Sequence, residues 1–376
     1  MVGEVIRKVL IVGGGIGGMA LAILLRSKGL DVDLAERDPQ WRAAGAGLTL
    51  NGATLRVFSE IGIEEDVRRL GSVHGGVRLH DRWGNIIEDR PAYVPEPGDI
   101  MAGGAIMRPV LHQILAERTR ALGTNVRLGL TVNTLDQDKD GVTVTFSDGS
   151  VGRYDLVVGA DGLHSQMRKL IFPDAPGAAF VHMGAWRAVF PRPAEMETTW
   201  LFLDASQKLG FNPVSKTHMY LFILEPMTEN QWREPEDWPR LLAELMSGYC
   251  DQVSSLATSI DESTSINYRP LEMVMLPQPW HSGRVVLLGD ACHGTTPHSG
   301  YGAGLATEDA VILAEQICAP GDLDERLNAY CDRRYPRCRR VMDLSLDLNR
   351  MERAGVPIVD QFHTNMALMD IARQPY

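Results

Sequence analysis

Val9-Leu10-Ile11-Val12-Gly13-Gly14-Gly15-Ile16-Gly17-Gly18 decides how the rest of the chain is read. Four apolar residues, three of them β-branched, predict a short buried strand. Glycines follow at once, then Met19-Ala20-Leu21-Ala22-Ile23-Leu24-Leu25-Arg26, which predicts a helix packed on a sheet. Gly13, Gly15 and Gly18 satisfy G-x-G-x-x-G in the strand, turn, helix context that gives the pattern its meaning. The first glycine makes the tight turn, the second admits backbone N–H groups to a pyrophosphate, and the third lets the helix sit close to the strand. Ile16 opens the helix, whose unpaired N–H groups and positive end favour an anion. A second strand, Asp31 to Ala35, ends at Glu36, placed to bind a ribose hydroxyl. Arg37 follows, either near an adenine or facing solvent. The alternative for the whole stretch is a glycine-rich turn without a ligand.

The 376 residues suit two domains, or one large domain with an insertion. With 44% hydrophobic and 23% charged residues the chain resembles an ordinary globular protein able to bury a large core. A net charge of −11 argues against broad nucleic-acid binding. The lead-in Met1-Val2-Gly3-Glu4 has no signal-peptide apolar region, and no apolar run is long enough to cross a bilayer. Cys250, Cys292, Cys318, Cys331 and Cys338 form no C-x-x-C pair, which suits a reduced cytoplasmic protein without a metal site.

Small residues in Gly45-Ala46-Gly47-Leu48-Thr49 permit close approach of backbone to a flat ligand, ahead of a helix from Ala53 to Ile61. A turn-rich stretch from Gly71 to Gly98, with Pro91, Pro95 and Pro97, reads as a hairpin layer over the ligand. Pro109 suits the first turn of the next helix, so Arg108 sits at a helix start, where the dipole disfavours a cation unless an anion is near. Strands at Asn125 to Leu130 and Val142 to Phe146 flank a loop from Asp136 to Gly141. Tyr154 to Gly162 is a second apolar strand ending in glycines and Asp161, with Ser165 and Arg168 opening a helix.

From Gly177 to Tyr268 strand candidates dominate: Ala185 to Phe190, Thr198 to Leu203, Leu209 to Val214 and His218 to Leu224, covered by a helix from Trp238 to Met246. Alternation puts His218, Tyr220 and Phe222 on one face as a pocket wall, with Met219, Leu221 and Ile223 on the other. The competing reading is a core with one satisfied tyrosine. Gly283 to His293 is a third apolar strand, ending in Gly289-Asp290. Pro297-His298-Ser299-Gly300-Tyr301-Gly302-Ala303-Gly304-Leu305 then leads into a helix from Ala306 to Ile317. Leu323 to Arg353 is helical, and Arg333, Arg334, Arg337, Arg339 and Arg340 read as a solvated face paired with acids.

The three strand-to-glycine junctions, at Gly13, Gly159-Ala160-Asp161-Gly162 and Gly289-Asp290, closely resemble those of the single-component FAD-dependent aromatic hydroxylases, the para-hydroxybenzoate hydroxylase-like (group A) flavoprotein monooxygenases. The resemblance spans most of residues 8 to 345. It implies an α/β fold: a Rossmann-like FAD-binding domain from 1–72, 100–176 and 269–345. A mainly antiparallel substrate sheet would come from 73–99 and 177–268, and a helical segment from 346–376. It implies FAD held at the pyrophosphate by Gly13, Gly15, Ile16 and Gly18 and at the ribose by Glu36, with Arg37, Gly47, Arg108, Leu130 and Asp161 also serving the cofactor. Asp290 would meet the ribityl region, and Gly302, Gly304 and Leu305 the flavin pyrimidine.

By the same resemblance NAD(P)H reduces FAD, and reaction with O2 gives a C4a-hydroperoxide that hydroxylates an aromatic or heteroaromatic small molecule. Pro297 would lie over the flavin. Asn212, His218, Tyr220 and His298 are the polar candidates for the substrate, and His298 reads as either a general base or a structural hydrogen-bonder. Two departures stand out. Ala43 replaces an arginine found in many relatives, with Arg42 one place earlier, and Thr49 stands where pyridine hydroxylases can have a histidine base. No second G-x-G-x-x-G and no Trp-x-Trp-x-Ile-Pro segment occurs, which disfavours Baeyer–Villiger enzymes and flavin halogenases. A flavin oxidoreductase without oxygen insertion and a non-catalytic FAD-binding protein remain alternatives. The expected assembly is a monomer or homodimer.

Overall fold

Val9 to Val12 are fully enclosed, because the strand Lys8–Val12 lies inside a six-stranded sheet covered on both faces. The strand order is His281–Ser282, Val285–Leu287, Leu156–Gly159, Lys8–Val12, Asp31–Glu36 and Asn125–Leu128. All neighbours run parallel except the short antiparallel edge at His281–Ser282. The register aligns Val12 with Ala35 and Gly159, and Gly159 with Leu287. The C-terminal ends of four strands therefore open at one level, where parallel α/β sheets bind ligands. This computed structural model describes residues 5–43, 45–96, 99, 102–204 and 207–376. The lead-in at 1–4 and Pro97 and Gly98 lie outside the described residues.

A second sheet has nine strands. Eight lie in the order Ile266–Met273, Ala179–Pro191, His218–Pro226, Lys208–Pro213, Thr199–Leu203, Ser72–Asp81, Gly103–Met107 and Gly47–Asn51, and Ile86–Tyr93 pairs with Ser72–Asp81. It is antiparallel apart from the pairing of Thr199–Leu203 with Ser72–Asp81. Gly47–Asn51 and Gly103–Met107 thus join this sheet, although both come from stretches that read as nucleotide-binding. Long-range pairing of this kind leaves no local mark on a sequence. Trp200, Phe202, Leu209, Phe211, Met219, Leu221, Ile223 and Trp186 point to one face and form a core with the helices Trp238–Met246 and Asp251–Thr258. The alternate residues, Tyr220 and Phe222 among them, face the nucleotide-binding side.

Two local readings need correction. The loop expected from Asp136 to Gly141 is a hairpin, with strands Val132–Asp138 and Gly141–Phe146 in a three-stranded antiparallel sheet. Its first strand is mostly solvent-facing, so the apolar alternation was too weak to reveal it. The hairpin Ser72–Asp81 and Ile86–Tyr93 exists, but none of its residues lines the cavity described below.

The arginine-rich helix Leu323–Arg353 also departs from expectation, because Arg334 is fully buried. Its Nε donates to Asp309 at 2.7 Å and its Nη2 to Glu308 at 2.9 Å, both carboxylates lying on the helix Gly302–Cys318. Arg337 donates to the same Glu308 at 2.9 Å. Two adjacent acids inside the protein need cations, and helical spacing brings Arg334 and Arg337 to them. Arg334→Met should leave Arg337 and His293 as the remaining partners of two buried acids and cost about 3 kcal/mol, read as a lowered urea midpoint. Exposed Arg339→Met, whose partner Asp343 lies on the same helix, should change the midpoint little.

Candidate active site

Gly15 precedes the helix Ile16–Ser27, and the Met19 N–H bonds back to its carbonyl at 2.9 Å. The N–H groups of Ile16, Gly17 and Gly18 are therefore left at the helix start for an anion. The three motif glycines differ in what surrounds them. Gly13 has φ +112°, and a Cβ there would meet the Ala160 carbonyl oxygen at 2.3 Å. A Cβ on Gly18 would meet the Gly13 carbonyl oxygen at 2.1 Å, whereas one on Gly15 meets nothing within 4 Å. Gly13 and Gly18 are fixed by the fold, and Gly15 leaves the room that a phosphate needs.

The Glu36 carboxylate accepts from Gly14 N–H at 2.8 Å and Asp38 N–H at 2.7 Å. Trp41 donates its indole N–H to the Gly14 carbonyl at 2.9 Å. A cavity of about 820 Å³ extends from this turn past Arg108 and Asp290 to the large sheet. Arg168 fastens two junctions together, donating to the carbonyls of Ala291 at 2.8 Å and Leu163 at 2.9 Å. Asp290 stays open to the cavity while enclosed by protein. Burial pushes its carboxyl above the usual range, opposed by His293 and Arg108. Free helix-start N–H groups at one end, a held carboxylate beside them and room for a long ligand fit a dinucleotide such as FAD.

Of the residues expected at the site, Gly15, Ile16, Gly18, Glu36, Gly47, Arg108, Asp290, Gly302, Asn212, Tyr220, Pro297 and His298 line this cavity. Gly13 lies beneath the turn. Arg37 is exposed and away from the cavity. The Leu130 N–H is taken by the Glu36 carbonyl at 3.0 Å. Asp161 caps the helix Gln166–Ile171 by accepting from Ser165 Oγ and the N–H groups of Gln166 and Met167, while Ala160, Gly162 and Leu163 face the cavity. Gly304 packs against Thr54, and the Leu305 N–H bonds inside its helix to the Tyr301 carbonyl at 2.9 Å. His218 is exposed and contacts Thr217 Oγ1 at 2.9 Å, because it begins its strand beyond the covered part of the sheet.

The sheet side of the cavity carries a hydroxyl cluster. Thr49 Oγ1 and Tyr220 OH are 2.7 Å apart, and the Asn212 amide donates to both at 3.2 Å. Thr199 Oγ1 donates to Asn212 Oδ1 at 2.5 Å, fixing the amide. One hydroxyl proton bridges Thr49 and Tyr220, so the other is left for the cavity. Gly47 lies under the Tyr220 ring, where a Cβ would come within 2.2 Å, and Phe222 covers Gly210 in the same way at 2.3 Å. Thr199, Lys208 and Arg187 were missed in the sequence reading. Period-two counting across the neighbouring strands would have placed them on the Tyr220 face.

His298 Nδ1 lies 2.8 Å from Thr296 Oγ1, and Nε2 lies 3.3 Å from Met183 Sδ and 3.6 Å from the Glu352 carboxylate. Burial pushes its imidazole down to about 4, with Glu352 opposing and Lys208 adding to the fall. Glu352 itself pairs with Lys208 at 3.3 Å.

A family model described as "FAD binding domain" matches residues 7–345. The chain belongs to this FAD-binding family. It is 31% identical over 360 residues to 6-hydroxynicotinate 3-monooxygenase of Bordetella bronchiseptica, covering 90% of this chain and 91% of that enzyme. It is 32% identical over 315 residues to 2-heptyl-3-hydroxy-4(1H)-quinolone synthase of Pseudomonas aeruginosa, covering 82% of this chain and 80% of that enzyme. The fold matches that of Klebsiella pneumoniae HpxO complexed with FAD and uric acid, at TM-score 0.79 and 24% identity over 98% of this chain and 93% of that one. This is therefore a FAD-dependent monooxygenase with the mixed α/β architecture that its three glycine junctions imply.

Two outcomes follow from the cradle and the buried histidines. Gly15→Ala should fold with an unchanged far-UV spectrum but hold FAD at least about tenfold more weakly, seen as a lower flavin-to-protein absorbance ratio. Gly18→Ala should lower the melting temperature of the flavin-free chain as well. His74 and His298 are both pushed down to about 4 from 6.5, chiefly by burial. Their folded values lie below the unfolded ones, so stability is lost as pH falls from 6.5 towards 4. Below the ordinary value His293, whose own shift is upward, is charged in both states and adds no slope. The melting temperature should fall across that window, and His74→Asn with His298→Asn should flatten the fall.

Proposed function

We propose that this enzyme hydroxylates an aromatic or heteroaromatic small molecule, with NAD(P)H as electron donor and O2 as oxygen source. The single observation that carries the reading is the hydroxyl cluster of Thr49, Asn212 and Tyr220 in the same cavity as the FAD cradle. FAD, when bound, supplies the redox chemistry between NAD(P)H, O2 and the substrate ring. The residues of the chain bind and orient. The helix-start N–H groups of Ile16 to Gly18 and the Glu36 carboxylate hold the pyrophosphate and ribose end. Arg108 and Asp290 hold the middle of the cofactor. The N–H groups of Gly302 and Ala303, at the start of their helix and on the cavity wall, would face the flavin ring.

On the substrate side, Tyr220 or Thr49 donates the spare hydroxyl proton to a ring oxygen, and Phe222 and Leu224 form the apolar wall. Both His298 nitrogens are engaged within the protein, and its low proton affinity makes it a poor base at neutral pH. We read it as holding the turn from Pro297 to Gly300 in place. His218 lies too far out for a catalytic role. That the 6-hydroxynicotinate and quinolone enzymes among the relatives act on flat ring systems supports the substrate class. A one-cofactor layout, with a single G-x-G-x-x-G turn, favours a nicotinamide nucleotide that visits rather than resides. Five cysteines without a disulfide support a cytoplasmic setting, and no described helix is long and apolar enough to cross a membrane. For the assembly we favour a monomer or homodimer.

The test is a screen of aromatic ligands for stimulated NAD(P)H oxidation, followed by product mass under isotope-labelled O2. One labelled oxygen in the product is expected, and stimulated oxidation without label in any product would favour a flavin oxidoreductase. Tyr220→Phe should lower the yield of hydroxylated product per NAD(P)H by about a hundredfold while FAD remains bound.

A further inference from the structure

The G-x-G-x-x-G pattern leaves its second position open, yet Gly14 fills it with a further glycine. Gly14 does not share the positive φ of Gly13, so its backbone conformation is not the reason. The reason is Trp41. A Cβ on Gly14 would come within 2.3 Å of the indole nitrogen and 3.1 Å of a Glu36 carboxylate oxygen. Trp41 is itself held at φ +49°, in the left-handed region that a bulky residue enters only at a cost. Its surroundings impose that conformation. The Trp41 N–H closes a turn on the Asp38 carbonyl at 3.0 Å. His112 meets the ring edge-on with centroids 5.5 Å apart, and the Arg120 guanidinium lies over its face at 4.7 Å.

Two side chains thus fix the two peptides of Gly14. Glu36 accepts from the Gly14 N–H at 2.8 Å and sets the peptide before it. The Trp41 indole donates to the Gly14 carbonyl at 2.9 Å and sets the peptide after it. That second peptide is trans and planar, so its N–H, which belongs to Gly15, points away from Trp41. Among the described residues no carbonyl or carboxylate takes the Gly15 N–H. Gly15 and Trp41 both line the cavity, and a Cβ on Gly15 would meet nothing within 4 Å.

We infer that Trp41 is a positioning residue for the cofactor: by holding the Gly14 carbonyl it aims the Gly15 N–H at the pyrophosphate, and Gly14 is a glycine so that the indole can reach. The same bond keeps the negative end of the Gly14 carbonyl turned away from an anion. Without the indole N–H this peptide is free to rotate, and rotation would exchange a donor for an acceptor at the phosphate. The inference rests on reading the glycine turn as the pyrophosphate cradle, and it holds whichever ring is hydroxylated.

The test uses the full chain freed of flavin and titrated with FAD, followed by flavin fluorescence and by phosphorus NMR of the bound cofactor. Trp41→Phe keeps an aromatic ring between His112 and Arg120 but has no N–H. It should bind FAD about tenfold more weakly, and the two pyrophosphate signals should move from their wild-type positions. Gly14→Ala should do the same by pushing the indole away, and the double variant should lose no more affinity than the weaker-binding single variant. Wild-type affinity in Trp41→Phe, unmoved phosphorus signals or additive losses in the double variant each overturns the inference. Should Trp41→Phe fail to fold, Gly14→Ala carries the test alone, and unmoved phosphorus signals there overturn the inference. Gly15→Ala is the control for the cradle itself. Weak FAD binding by Gly15→Ala beside normal binding by Trp41→Phe refutes this inference alone, whereas normal binding by Gly15→Ala refutes the cradle reading.

Discussion

Asp309 is the buried charge on which the site depends. Its carboxylate accepts from the Gly289 N–H at 3.0 Å, from His293 at 2.5 Å and from Arg334 at 2.7 Å. Burial alone would raise its proton affinity, but His293 and Arg334 outweigh that and hold it at about 2. Three elements distant in sequence thereby meet at one side chain: the turn at Gly289-Asp290, the helix Gly302–Cys318 and the helix Leu323–Arg353. Glu308 repeats the device next door, binding Arg334, Arg337 and the Tyr301 hydroxyl. The two cavity-lining segments at Gly289-Asp290 and Tyr301-Gly302 are thus anchored from behind by ion pairs that water does not reach.

The cavity is a seam between two sheets with different rules. The parallel sheet offers strand ends and helix starts, which suit phosphates and ribose. The large antiparallel sheet offers a face, one residue in two, which suits a flat ring. Tyr220, Phe222 and Leu224 look into the seam while Met219, Leu221 and Ile223 fill the core behind it. The glycine turn lies at one end of this seam, and the polar side chains of Thr49, Asn212 and Tyr220 lie on the opposite wall.

Much of this was legible in the residues. The run from Val9 to Gly18 declares its strand, turn and helix because each glycine has a separate local reason to be there. The division of His218 to Leu224 into two faces follows from alternation alone, although His218 itself falls outside the covered part. What escaped was non-local. Arg334 looked like one more helix-surface arginine, since the two acids it neutralises are more than twenty residues away. Arg187 sits in an apolar strand with nothing nearby in sequence to mark it. Leu130, Asp161, Gly304 and Leu305 lie close to the expected cofactor path, yet their side chains or N–H groups are committed to capping, packing or the backbone ladder.

The parallel pairing of Thr199–Leu203 with Ser72–Asp81 also bears on how the chain reaches this state. It joins segments more than a hundred residues apart, and Gly47–Asn51 and Gly103–Met107 lie beyond it in the same sheet. Without residues near 200, Ser72–Asp81 lacks its partner along Val77 to Asp81. Pairing over such a separation carries a large loop-closure cost, and the strands Gly47–Asn51 and Gly103–Met107 depend on it for their place in the large sheet. The cavity is thus a property of the whole chain, since one wall needs strands from both sides of residue 150 while the other needs Val285–Leu287.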